Sequence, residues 1–173
     1  MEAAGSFTAV SGWGMVAVGA LALVVAFLAQ QQSTPVGAIR VWLISAALLP
    51  LVMLATMARK ARHAKMPLVS GPARKFVLSF SPPMIVGALL TLVMYQGGLV
   101  YAIPGMWLLL YGTAVVAGGA FSVQIVPVMG LCFMAAGVIA LFAPVSVVQL
   151  IMGAAFGGLH IAFGIPIARR HGG

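Results

Sequence analysis

Six stretches of about twenty residues run through this chain with almost no charge, and each could cross a hydrocarbon core of about 30 Å. They lie at about 12–30 ("GWGMVAVGALALVVAFLAQ"), 38–58, 76–96 ("FVLSFSPPMIVGALLTLVMYQ"), 100–121, 124–143 and 146–168. Little of the 173 residues is left over, so the pattern predicts one all-α transmembrane domain of six helices over residues 1–173. Composition agrees. Only 6% of residues are charged, against about 25% in soluble domains, so no extensive water-facing surface can be built. The opening "MEAAGSFTAV" lacks the basic n-region of a cleaved signal, so the first stretch is expected to be kept as a span.

The net charge is +8, with nine Lys and Arg against a single acid, Glu2. Arg59, Lys60, Arg62, Lys65, Arg74 and Lys75 all fall within "RKARHAKMPLVSGPARK", between the second and third spans, and Arg169 and Arg170 follow the sixth. An even number of spans puts that loop and both termini on one side, and the positive-inside rule makes that side cytoplasmic. Arg40 is the exception, and a cation at a helix end can snorkel. Cations confined to helix ends and one loop argue for orientation in an anionic membrane, with contacts to lipid headgroups, and not for nucleic acid. Docking of an acidic partner on the same loop is the other reading.

Beyond Glu2 the chain has no carboxylate. That removes carboxylate proton relays, glycosidase pairs, carboxylate metal sites and a Ser-His-Asp triad. No Walker, G-x-S-x-G or H-E-x-x-H sequence is present. The expectation is a non-enzymatic protein without a metal or cofactor. One cysteine, Cys132, allows neither an intrachain disulfide nor a cysteine metal cage. A haem would want two facing histidines or a methionine partner, and only His160 lies within a span.

What remains inside the spans is small and polar: Ser79, Ser81, Thr91, Thr113, Cys132, Gln149 and His160. Hydroxyls on membrane helices mostly bond the carbonyl one turn back. Gly153 with Gly157, Ala114 with Gly118, and Gly87 with Thr91 have the four-residue spacing that lets helices approach closely. Packing within the chain is the first expectation for these faces, and a homodimer seam the second. Pro82 and Pro83 leave the carbonyls of Leu78 and Ser79 without helical donors, which predicts a bend or break in the third span, re-satisfied by Ser79 or Ser81. A broken helix could line a small cavity. No internal repeat stands out; halves at 1–75 and 76–173 do not match in their prolines and glycines.

At ~1.5 Å per residue, Ser81 and Pro82 lie about 8 Å from the cytoplasmic end and His160 about 12 Å, at a level shared with Tyr111, Thr113 and Cys132. His160 shares a helical face with Gly153, Phe156, Gly157, Gly164 and Ile167, the glycine-lined side. It is therefore expected to face the interior, bonded to a carbonyl or a hydroxyl, with Tyr111 and Ser81 the nearest prospects. A lipid-facing imidazole would leave an N–H unpaired in hydrocarbon.

The stretch "YAIPGMWLLLYGTAVVAGGAFSVQIVPVMGLCFMAAGVIALF" (101–142), with the later "GGLHIAFG", resembles small multi-pass bacterial inner-membrane proteins of unassigned function. The likeness covers the last four spans. It implies a bacterial inner-membrane location and carries no activity. The functional expectation is a protein that binds a small or lipid-like molecule within the bundle, with translocation as its extension. The candidate contacts are His160, Ser81, Pro82, Pro83, Tyr111 and Cys132. The alternative is an accessory or regulatory subunit that meets another membrane protein, or a second copy, through small-residue faces or the basic loop.

Overall fold

The computed structural model describes residues 11–63, 71–120 and 122–171, and is all-α with six apolar crossings. Helix α1 is Gly12–Gln30, α2 is Pro35–His63 and α3 is Gly71–Gln96. After a single 3-10 turn at Val100–Ala102 come α4, Ile103–Gly119, and α5, Ile125–Phe142. The sixth crossing is built in three pieces: α6 at Val145–Met152, a π-helical segment at Gly153–Leu159, and α7 at His160–His171. These bounds follow the apolar stretches closely, because burying unpaired backbone groups in lipid forces each stretch to close its own hydrogen bonds. Glu2 and Lys65 lie outside the described residues.

The helices gather into two groups of three. Helix α1 packs against α2 and the sixth crossing, while α4 packs against α5 and α3. Each group is sewn by glycines spaced seven residues apart on antiparallel neighbours. In the first, a Cβ on Gly12 would sit 2.7 Å from the Gly164 carbonyl oxygen, and one on Gly19 would sit 2.8 Å from that of Gly157. In the second, Gly112 and Gly130 face each other reciprocally at 2.6 and 2.7 Å, and Gly137 meets the Gly105 carbonyl at 3.0 Å. Such distances exclude any side chain, so the backbones touch directly. Gly157 thus packs inside the chain, and Gly153 does so against Ala26. Gly87 meets Trp107 of α4, Gly118 meets Phe76 of α3, and Ala114 is fully buried.

One indole hydrogen bond ties members within each group. Trp42 of α2 donates to the Gln149 side-chain oxygen at 2.8 Å, and Trp107 of α4 donates to Thr91 of α3 at 2.9 Å. Ser45, Thr91 and Thr113 each bond the carbonyl four residues back, as hydroxyls on membrane helices do.

The expected break in the third span does not occur. Helix α3 runs unbroken through Pro82 and Pro83, and neither Ser79 nor Ser81 makes a side-chain hydrogen bond among the described residues. The two prolines sit side by side, so only two neighbouring carbonyls lose their donors, and the ladders before and after them stay closed. The break in regular α-geometry falls instead on the sixth crossing, in "GAAFGGL".

The starts of α1 and α3 and the ends of α2, α4 and α7 lie together at one end of the bundle. Gly12 adjoins Ala168, Gly14 adjoins Thr56, and Gly118 adjoins Phe76. Arg59, Arg62, Arg74, Lys75, Arg169 and Arg170 are exposed at that end, and Lys60 lies on the last turns of α2.

Candidate functional site

The two helix groups meet across a cluster of rings. Tyr111 of α4 lies with its centroid 4.7 Å from Phe133 of α5, 5.1 Å from Phe156 in the π segment and 5.6 Å from Phe80 of α3. Phe133 also meets Phe156 at 5.2 Å and His160 at 5.4 Å. Trp42 of α2 closes the cluster against Phe156 at 5.6 Å. Most of these pairs are tilted or edge-on, the arrangement that sets a ring's positive edge against a neighbour's negative face.

His160 stands inside this cluster, 3% exposed. Its Nε2 is 2.8 Å from the Tyr111 hydroxyl, and its Nδ1 is 2.8 Å from the Phe156 carbonyl oxygen. A carbonyl can only accept, so Nδ1 carries the proton, and in the neutral ring the Tyr111 hydroxyl donates to Nε2. The π segment makes this possible. In an α-helix the Phe156 carbonyl would take the backbone N–H of His160; here that N–H turns to the Gly157 carbonyl, and the imidazole takes its place. A side chain thereby satisfies the carbonyl that the irregular turn would leave open in lipid.

Of the candidate contacts read from the sequence, the structure brings together His160 and Tyr111. Among the described residues neither Ser81 nor Cys132 hydrogen-bonds to the pair, and Pro82 and Pro83 have no side-chain donor or acceptor to offer it. Their positions are taken by the residues just before or after two of them: Phe80, not Ser81, touches Tyr111, and Phe133, not Cys132, touches both members. A depth estimate fixes a level in the membrane but not a helix face. Phe80, Phe133 and Phe156 carry no polar side-chain atom, so polar patterning does not mark them. Among the described residues no three His, Cys, Asp or Glu side chains come together as a metal would require.

A second feature lies at the end opposite the cations. Ile39, Val100, Tyr101, Pro104, Val148 and Gln149 line a small hollow between the starts of α2, α4 and α6, open on one side. Because the Trp42 N–H can only donate, the Gln149 oxygen must face it. The two amide N–H donors of Gln149 have no partner among the described residues.

Fold and composition thus define an integral, multi-pass α-helical membrane protein. No family model, curated protein or solved structure matches the chain.

Proposed function

We propose that this chain is a non-enzymatic protein of a bacterial inner membrane that holds a small or lipid-like molecule between its helix groups, with translocation as the extension of that role. The observation that carries this reading is a shallow hollow of about 30 Å³ beside Gln149, room for a headgroup carbonyl and not for a whole lipid, where the Gln149 amide donors have no partner among the described residues. Gln149 is four residues into the sixth crossing, about 6 Å at ~1.5 Å per residue. That depth matches the boundary between headgroups and hydrocarbon, where the ester carbonyls of phospholipids lie. His160, whose two ring nitrogens are both bonded, serves as structural glue between the groups.

The test is native mass spectrometry of protein released from nanodiscs containing equal amounts of ester-linked and ether-linked phosphatidylglycerol. Wild type should retain the ester lipid in excess. Gln149→Leu should lose that preference. His160→Ala should lower stability and leave lipid retention alone. Equal retention of both lipids by wild type, or a loss of retention in a folded His160→Ala protein, would overturn the assignment of the site.

The accessory-subunit reading draws on α2, which buries Ala38 and Ile39 near its start, leaves Ile44, Leu48, Leu51 and Leu54 exposed, and packs chiefly on α1. Under that reading native spectra would show a stable second copy or a stoichiometric membrane partner, and no lipid preference.

The orientation we propose has the cationic end in the cytoplasm. Reporter fusions at residues 66 and 173 should read cytoplasmic and one at residue 98 external. An external signal at 66 would reverse the protein in the membrane and leave its clustered cations against the positive-inside rule.

A further inference from the structure

The sixth crossing changes register in its middle. A π ladder closes five residues back where an α ladder closes four, so Gly153–Leu159 takes in one residue more than an α-helix joining the same flanks. At 3.6 residues per turn, returning that residue to an α ladder would turn α6 by about 100° relative to α7. The two flanks are held very differently. Helix α7 and the end of the π segment are clamped to α1 by Gly12 against Gly164 and Gly19 against Gly157, and to α4 by the Tyr111–His160 bond. Helix α6 is eight residues long and buries only Val148 and Met152, with Leu150 73% exposed. Its side-chain hydrogen bond to another helix is Gln149 with Trp42. Within the segment, Gly158 has open space where a Cβ would stand.

We propose that α6 is a two-register element: the spare residue in the π segment lets it rotate against a fixed α7, and the Trp42–Gln149 hydrogen bond latches it in the register seen here. Rotation carries Val148 and Gln149 away from Ile39 and Pro104, which dismantles the hollow. The inference rests on the geometry of the sixth crossing and not on what the hollow binds, so it stands or falls separately from the lipid reading.

The experiment is fluorine NMR of the full chain in nanodiscs, labelled with 5-fluorotryptophan, the Trp42 signal being identified by its loss in Trp42→Phe. Wild type should give one dominant Trp42 resonance. In Gln149→Leu the latch is gone, and a second Trp42 resonance in exchange with the first should appear. Deleting Gly158 in that background removes the spare residue and should abolish the second resonance. A single, unbroadened Trp42 resonance in Gln149→Leu overturns the proposal, as does a second resonance that survives the deletion. Should the deletion variant fail to fold, amide exchange of wild type decides: α6 and the π segment should exchange together and faster than α7, and equal protection on both sides of His160 overturns it.

Discussion

Gly112→Ala is expected to destabilise the bundle by about 1–3 kcal/mol, the usual cost of overpacking a close contact, whereas Gly158→Ala should be neutral or slightly stabilising. A Cβ at 112 would stand 2.6 Å from the Gly130 carbonyl oxygen and 2.8 Å from the Met134 backbone nitrogen. Neither neighbour is a flexible side chain that can swing away, so α4 and α5 must part along the seam. That separation loosens the Gly105–Gly137 contact as well, and dispersion falls off steeply with small gaps. Alanine gains up to ~1 kcal/mol in helix propensity over glycine, which is too little to offset the parting at 112. At 158, where nothing lies within 4 Å, that gain is unopposed. Thermal unfolding in detergent would measure both. A Gly112→Ala protein as stable as wild type would show that the two helices are not in backbone contact.

Phe133→Ala is expected to cost about 2 kcal/mol, and more than Tyr111→Phe. Phe133 is 0% exposed and touches Tyr111, Phe156 and His160 at once. In a soluble core, Phe→Ala costs about 3–5 kcal/mol, part of it for moving the ring out of water. In a bilayer the unfolded helix keeps Phe133 in hydrocarbon, so the water-transfer part falls away and packing loss remains. Tyr111→Phe keeps the ring and removes one hydrogen bond, and buried bonds in a membrane bundle average ~0.6 kcal/mol. The ordering is the informative result, and steric trapping or denaturant titration in mixed micelles would provide it. If Tyr111→Phe proved the costlier change, the hydrogen bond and not ring packing would join the helix groups.

The spans were legible because their signal is composition over about twenty residues, which no tertiary contact can override in lipid. The interior placement of His160 and its Tyr111 partner were legible for a similar reason: an imidazole in hydrocarbon has few places to go. The rest of the cluster was not, since Phe80, Phe133 and Phe156 read as ordinary apolar filler until helix faces are known. The prolines misled in the opposite sense. Pro82 and Pro83 are strong local punctuation, yet α3 continues through them, while the glycine-rich "GAAFGGL" carries the π turns with no breaker in sight. Four-residue glycine spacings are the usual mark of close helix contact, but the seams here lie on the seven-residue spacing of Gly105, Gly112 and Gly119, and again of Gly130 with Gly137, Gly12 with Gly19, and Gly157 with Gly164.

The grouping of helices also sets an order of birth. Helices α3, α4 and α5 are consecutive in the chain and pack on one another, so that half can close as soon as α5 has left the ribosome. The other half joins the first two helices to the last. The face of α1 bearing Gly12 and Gly19 is made for Gly164 and Gly157, residues synthesised after everything else in the bundle. Throughout insertion of the middle three helices that face can meet only lipid or a helix that is not its own.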